Sequence, residues 1–364
     1  MRFTYCLTLS IVSWAALAHH GPGQFDASQQ VEVTGAVTEV RFVNPHGYIH
    51  FDVTEPDGTV TPWRCEVNSG SQLRRAGWTE DLFPVGGTIT VSGSRGTLEA
   101  HACGLSSVIL ADGRVLQRFD RIGTLDAPGD RADPRVGGRL ELSGTWAAPP
   151  RVPQGGPGRG GPGAAMGAAM GAAMGAVVPV FERLGLSLTD AGREALAGLS
   201  HQSDNPRFHC MATNILFDWE FGRDINEIIQ TDDEITLRYG FMDLVRTIRM
   251  DLEEHPDDID PTRAGHSIGR WEDGALIVDT VGFEEGFLIA GPGGLVRHSD
   301  GLHVVERFTY DAETRGLTRS YMAEDPRYFT GQYTGQDTVY PTDVPFEPYD
   351  CVELKDAFLD GPDG

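Results

Sequence analysis

The sequence predicts a mainly β protein built from two successive β-barrels, a small one followed by a larger antiparallel one. Apolar and polar residues alternate with a period of two through many short segments, which is the pattern of half-buried strands. Turn residues separate these segments at hairpin spacing, and helical periodicity is confined to short stretches. The length of 364 residues suits two domains.

The first segment of the chain has the features of a secretory signal. Arg2 precedes an apolar run over 3–17, which ends in the small-x-small cleavage pattern Ala16-Leu17-Ala18. The run is shorter than the roughly 20 residues of a membrane span. We therefore expect residues 1–18 to be cleaved and the mature protein to be periplasmic or secreted.

Residues 19–119 are predicted to form the first domain, an OB-like barrel. Its predicted elements are strands at 31–43, 48–54 and 60–67, a helix at 69–76, and strands at 86–93 and 105–110. Asp57-Gly58 is a hairpin signal, and Ser69 is the expected N-cap of the helix. The order β-β-β-α-β-β is that of an OB-type barrel.

Residues 140–358 are predicted to form the second domain, after a polar, Pro/Gly-rich linker over 120–139. Its predicted strands lie at 140–146, 225–230, 234–239, 244–251, 266–271, 275–281, 303–310, 316–322, 334–339 and 350–354. Serial hairpins, of which Asp273-Gly274 is the strongest signal, predict an antiparallel barrel, with a sandwich as the alternative. The segment 149–178, with three copies of Ala-Ala-Met-Gly, is predicted to be a flexible insertion.

Gly144-Thr145-Trp146 makes the second barrel lipocalin-like. The tripeptide resembles the Gly-x-Trp that opens the first strand of lipocalins, where the tryptophan closes the barrel base and an arginine from a late strand packs on it. Arg307 is the candidate for that arginine. The alternative is an ordinary buried tryptophan.

The charge and the apolar content of the sequence restrict the classes of binding partner that the protein can have. The chain carries 29 basic and 53 acidic residues and a formal charge of −24. Such a surface repels phosphate backbones, so nucleic acid is not an expected partner. No other apolar run is long enough to span a bilayer. The expected partner is a small-molecule ligand, held in the second barrel.

Four cysteines remain after Cys6 is lost with the signal, and an even number in an oxidising compartment suggests disulfides. Cys65–Cys103 and Cys210–Cys351 are the favoured pairs because each pair then falls within one predicted domain. The alternative is four free buried thiols.

Polar side chains concentrate on the predicted strands of the second domain. The candidate catalytic residues are His266, Asp279, His303 and Glu306, and the candidate ligand-binding residues are Arg249, Asp251, Trp271 and Arg307. An imidazole can act as a general acid or base, and a carboxylate can orient it.

Three interpretations of these side chains remain open. In the first, they orient a small, apolar ligand inside the barrel. In the second, the domain is an enzyme that performs acid–base chemistry on that ligand, as lipocalin-like isomerases, hydratases and cyclases do. In the third, the polar groups form ion pairs and hydrogen bonds around a plain core.

Histidines of the first domain suggest a metal site. Cleavage would leave His19 with a free amine beside His20, and His46 or His50 could complete a T-shaped set of nitrogens that suits Cu(II). Copper is therefore the candidate cofactor. The alternative is a solvated terminus.

Two groups of segments resemble bacterial families. Residues 18–26, 33–46, 73–78 and 110–114 resemble the DUF6152 family. Its members are small secreted domains with a His-His pair after the signal and an Asn-Pro-His turn, here Asn44-Pro45-His46.

Residues 265–272, 277–283 and 298–308, which include the GHSIGRWE motif, resemble a C-terminal domain of proteobacterial and acidobacterial secreted proteins. The Met-Asp-Gly-Arg-x-His-Pro stretch of that domain is present as 250–256, without the Gly-Arg pair. Neither resemblance implies a settled activity.

Overall fold

The computed structural model describes residues 25–97, 99–122, 135–136, 139–148, 181, 184–199, 204–291 and 294–353. Within these ranges the chain is mainly β, as predicted, with a closed barrel in the C-terminal part and a separate N-terminal sheet. The predicted signal at 1–18 and the predicted insertion at 149–178 lie outside the described residues.

The N-terminal part is a strongly curved sheet that closes on itself. Its elements are β1 (Phe25–Arg41), β2 (Tyr48–Thr54), β3 (Val60–Glu66), α1 (Gly70–Arg75), a 3₁₀ turn (Glu80–Leu82), β4 (Thr88–Gly96), β5 (Ala102–Ile109) and β6 (Val115–Gln117). Strand β1 pairs with β2 and β4, and β5 pairs with β4 and, in parallel, with β3. The resulting circuit β1-β2-β3-β5-β4, with a helix between β3 and β4, is the predicted OB-type order.

Local signals in the sequence set these elements. The side chain of Ser69 accepts a hydrogen bond from the backbone N–H of Gln72 at 3.4 Å and so caps α1 as predicted. Gly58, with φ of 87°, forms the turn between β2 and β3. The inward side chains of the strands and of the helix form one core that includes the fully buried Trp78 and Phe83.

The C-terminal part contains the remaining elements. They are β7 (Arg135–Val136), β8 (Arg139–Leu140), β9 (Gly144–Ala147), β10 (Ser187–Leu188), α2 (Asp190–Leu196), a 3₁₀ turn (Pro206–His209), β11 (Asn226–Gln230), β12 (Glu234–Arg238), β13 (Val245–Arg249), β14 (His266–Glu272), β15 (Ala275–Val281), β16 (Gly286–Gly291), β17 (Gly294–His298), β18 (His303–Asp311), β19 (Gly316–Glu324), β20 (Phe329–Thr330) and β21 (Tyr333–Pro341). The β16–β17 hairpin was not predicted. The strand predicted at 350–354 is reduced, over the described residues 350–353, to an isolated bridge between Asn44 and Cys351.

Nine strands close the barrel in the order β11-β12-β13-β14-β15-β18-β19-β21-β9. All neighbouring strands are antiparallel except β13 and β14, which run parallel with Ile248 opposite Ser267. The prediction of a wholly antiparallel barrel is therefore wrong at this one pair. Parallel neighbours cannot be joined by a hairpin, so residues 250–265 must carry the chain back along the barrel.

Side chains fill the barrel interior. Alternate residues of each strand point inward, and Trp146, Val278, Val304 and Phe308 are each no more than 1% exposed. The tight turn at Asp273 (φ 49°) and Gly274 (φ 76°) joins β14 to β15, which fixes their register.

The N-terminal sheet contacts one end of the barrel through α1 and the preceding loop. The Asn44 amide donates to the carbonyl of Tyr349, and the Gln72 amide donates to the carbonyl of Gly222 at 3.1 Å. The Arg75 guanidinium lies 3.3 Å from a carboxylate oxygen of the buried Asp224. The two parts therefore share buried polar contacts.

Both predicted disulfide pairs are confirmed. Cys65 and Cys103 lie opposite each other on β3 and β5 with a Cα–Cα distance of 4.5 Å. Cys210 and Cys351, 141 residues apart, have a Cα–Cα distance of 5.5 Å. Such pairs fit an oxidising compartment. Among the described residues, no helix is long and apolar enough to cross a membrane.

Candidate acid–base site

The candidate site lies on the outer face of the barrel wall formed by β14, β15 and β18. In β15, Leu276, Val278 and Thr280 point inward, so Asp279 points outward. By the same alternation His266 on β14 and His303 on β18 also point outward. The three predicted residues therefore share one face of the sheet.

The crossing segment 250–265 brings a fourth side chain to this face. Because β13 and β14 are parallel, this segment passes over the outside of the wall before β14 begins. It delivers His255, whose ring centroid lies 5.0 Å from that of His266. We define His255, His266, Asp279 and His303 as the His–Asp cluster.

Asp279 is the centre of the His–Asp cluster. One of its oxygens is 3.0 Å from Nε2 of His255, and the other is 3.1 Å from Nε2 of His303. An ionised carboxylate only accepts hydrogen bonds, so both imidazoles must donate from Nε2. Asp279 therefore orients two imidazole rings at once.

The hydrogen bonds also fix the tautomer of the remaining histidine. When neutral His255 donates from Nε2, its Nδ1 is an acceptor. This Nδ1 lies 2.8 Å from Nδ1 of His266, so His266 must be the donor. Lone pairs then remain on Nε2 of His266 and on Nδ1 of His303, and either nitrogen can accept a proton from a bound molecule.

The cluster is partly open to solvent. The side chains of His255, Asp279 and His303 are 18%, 30% and 40% exposed. Desolvation lowers the pKa of His266, and the positive charge of Arg249 lowers it further. His266 is therefore held in its neutral form, with its free lone pair available at neutral pH.

Glu306 does not belong to this cluster. It points into the barrel and is fully buried, where it pairs with Arg246 at 2.5 Å and with Arg319 at 3.3 Å. The sequence hypothesis placed it with His266, Asp279 and His303 around one ligand. That arrangement is corrected here, because adjacent residues of a strand point to opposite faces.

The predicted ligand-binding residues are also divided between locations. Arg249 and Asp251 form an exposed ion pair at 2.6 Å beside the cluster. Trp271 packs against the barrel core. Arg307 lies on the outer face of β18, two outward positions from His303. The guanidinium carbon of Arg319 lies 5.7 Å from the centroid of the ring of Trp219, which is a different core tryptophan from Trp146.

Only His46 and His50 of the candidate metal ligands of the first domain lie within the described residues. His19 and His20 lie outside these residues. His46 lies 3.2 Å from Glu66, and burial lowers the pKa of His50 on β2. In the described part of the chain, no group of three or more His, Cys, Asp or Glu side chains has the arrangement of a metal site.

His255 is the site residue that sequence reasoning missed. It lies in no strand, so the alternation that placed His266, Asp279 and His303 says nothing about it. The available signal was the stretch 250–256, where the resemblance to the C-terminal domain includes a His-Pro pair, here His255-Pro256.

Comparison with known proteins bears on the N-terminal part. Residues 8–105 match a family described as a family of unknown function, DUF6152. This match supports the resemblance of the N-terminal domain. No curated protein matches the sequence significantly.

Proposed function

We propose that the His–Asp cluster is a general acid–base site and that the C-terminal domain is an enzyme acting on a small molecule bound on the outer face. The observation that carries the proposal is the double hydrogen bonding of Asp279, which aligns His303 directly and His266 through His255. A carboxylate that orients an imidazole also stabilises the imidazolium formed when the ring takes up a proton.

Two basic nitrogens beside one carboxylate suit reactions that remove a proton at one atom and return it at another. Isomerisation, hydration and cyclisation are reactions of this type. His303 or His266 removes the proton, and the charge that develops on the ring is balanced by Asp279. The same imidazolium can then return the proton to the product.

The proposed binding position is the outer face because the inner face is occupied. Inward side chains pack the interior, where Arg246 bonds to Ser267 and to Glu306. Outward apolar residues next to the cluster, among them Ile268 and Val305, are partly exposed and can contact an apolar molecule.

Kemp elimination of 5-nitrobenzisoxazole tests this proposal, since a positioned base removes its C–H proton and opens the ring in one step. We expect kcat/KM to rise with pH as an imidazole loses its proton. Positioned general bases contribute roughly 10²–10⁴-fold, so His303→Gln combined with His266→Gln should lose about 10²-fold or more.

His101→Gln is the matched control, since His101 is an exposed histidine of the N-terminal part. It should leave the elimination rate unchanged, and circular dichroism should show that every variant folds. An elimination rate that is the same in the double variant and the wild type would overturn the proposal.

The proposed compartment is the periplasm or the exterior of the cell. The two disulfides support it, because such bonds persist in oxidising surroundings. The predicted signal over 1–18 would provide the route. Intact-mass measurement of protein from a bacterial host tests this, and a chain that begins at His19 is the expected result.

A further inference from the structure

The outer face continues beyond the His–Asp cluster along β18. From His303 the outward positions are Val305 and then Arg307, a distance of about 13 Å at the usual rise of a strand. Ile277 lies opposite Arg307 on β15, and Met322 lies opposite Val305 on β19. The strip from His303 to Arg307 therefore has a polar residue at each end and the apolar Val305 and Met322 between them, with Asp279 of the His–Asp cluster opposite Val305 on β15.

Arg307 differs from the other arginines of this face. Arg270 pairs with Glu272 at 3.3 Å, and Arg249 pairs with Asp251 at 2.6 Å. Arg307 is half-buried, and no carboxylate or other acceptor in the described part of the chain bonds to it. A partly desolvated guanidinium without an acceptor is a ready partner for a carboxylate.

The opposite end of the strip carries negative charge. The segment 251–260, which passes over the cluster at His255, contains six acidic residues and no lysine or arginine. Its field repels an anion from the histidines and favours an anion at the far end. The charges at the two ends therefore orient a molecule that carries a single negative group.

We propose that the substrate is an elongated, apolar molecule with one anionic end, which Arg307 binds while the reacting end lies at the His–Asp cluster. The substrate class rests on the proposed acid–base function of that cluster. Val305 and Met322, which are partly exposed, contact the apolar body. A bidentate guanidinium–carboxylate pair fixes the orientation, and the length of the strip selects the position of the atom that loses its proton.

Binding of decanoate, measured by isothermal titration calorimetry with the full chain, tests the proposal. Decan-1-ol has the same chain without the charge, and we expect it to bind about tenfold or more weakly. Arg307→Gln should weaken decanoate binding by about tenfold or more, since a charge-assisted hydrogen bond contributes about 1.5–3 kcal/mol, and should leave decan-1-ol binding unchanged.

Arg270→Gln is the matched control, because Arg270 lies on the same face, on the other side of Ile277, but is already paired. It should change decanoate binding less than about twofold, because exposed ion pairs contribute little. Absence of decanoate binding, equal binding of decan-1-ol, or equal losses in the two arginine variants would each overturn the substrate class.

The histidine variants separate this inference from the proposed function. His303→Gln should keep most of the decanoate affinity, because the carboxylate is bound at the other end of the strip. Loss of decanoate binding in Arg307→Gln, together with an elimination rate unaffected by the histidine changes, would remove the acid–base function and leave a binding surface for apolar anions. Unchanged decanoate binding in Arg307→Gln, together with loss of elimination activity in the histidine variants, would remove the proposed substrate class and leave the acid–base function in place.

Discussion

The two faces of one barrel wall carry carboxylates in opposite environments. Glu306 points inward and is fully buried between Arg246 and Arg319, which also pairs with Asp337 at 2.5 Å. Asp279 points outward, is 30% exposed, and within the described part of the chain bonds to imidazoles alone. The inner carboxylate has fixed cations as partners, whereas the outer one has partners that can lose or gain a proton.

The inner ion pairs therefore serve to stabilise the fold, whereas the outer His–Asp cluster is suited to proton transfer. Burial alone would lower the pKa of Arg319, but Asp337 and Glu306 raise it above its usual value, so the guanidinium of Arg319 stays charged at any ordinary pH. The guanidinium of Arg319 also donates to the carbonyls of Ile215 and Leu216 at 2.8 and 2.9 Å, which ties the loop over the barrel end to its interior. The outer histidines keep unpaired nitrogens and remain available to a bound molecule.

The largest effect is expected from Glu306→Gln. The change leaves Arg246 and Arg319 with one carboxylate, Asp337, in place of two, and breaking a buried ion pair costs about 3–5 kcal/mol. Denaturant unfolding should show a free energy of unfolding lower by this amount. Glu313→Gln, at an exposed turn, is the control and should cost less than about 0.5 kcal/mol. A loss below about 1 kcal/mol for Glu306→Gln would mean that the inner network does not stabilise the barrel.

A smaller, pH-dependent effect is expected from a buried histidine that lies outside the His–Asp cluster. His298 is 3% exposed, and desolvation lowers its pKa from 6.5. The unfolded chain therefore binds a proton at a higher pH than the folded chain, so the free energy of unfolding should fall as pH drops below about 6.5. His298→Gln should flatten this dependence between pH 7 and pH 5.

The role of His298 is tested by the slope of the free energy of unfolding against pH, rather than by the free energy of unfolding at one pH. Its Nδ1 donates to the carbonyl of Ser299 at 2.9 Å, so glutamine at this position can change stability at every pH. An unaltered slope in His298→Gln would assign the acid sensitivity to other groups.

The sequence was sufficient for the fold class, for most strands and for which side chains share a face of a strand. Period-two alternation determined that His303 and Glu306 point in opposite directions, and Asp273-Gly274 determined the register of β14 and β15. The disulfide pairs also followed, because each joins cysteines of one predicted domain.

The remaining features depend on long-range arrangement. Alternation within one strand does not say which residues of neighbouring strands share a face, so the sequence could not decide whether Asp279 lies with His303 or with Glu306. The parallel pairing of β13 and β14 has no local signal, because it depends on the path of residues 250–265. The position of His255 depends on that path, and the sequence therefore could not connect it with Asp279.

The smallest effect on stability is expected at the outer carboxylate. Asp279→Asn keeps the size of the side chain, and asparagine can still accept a hydrogen bond from one imidazole. Since Asp279 and His303 are 30% and 40% exposed, water can satisfy the groups that lose a partner, and the free energy of unfolding should fall by less than about 1 kcal/mol.

The same substitution should have a large effect on chemistry. Without the negative charge, an imidazolium formed at His303 or His266 loses its stabilising partner, and the amide group permits the wrong tautomer of either ring. The rate of 5-nitrobenzisoxazole elimination should therefore fall by about 10²-fold or more while the protein stays folded. Glu306→Gln should show the opposite combination, a large loss of stability with an elimination rate close to that of the wild type in the fraction that remains folded. Equal effects of the two substitutions on both measurements would show that the faces of the wall are not specialised.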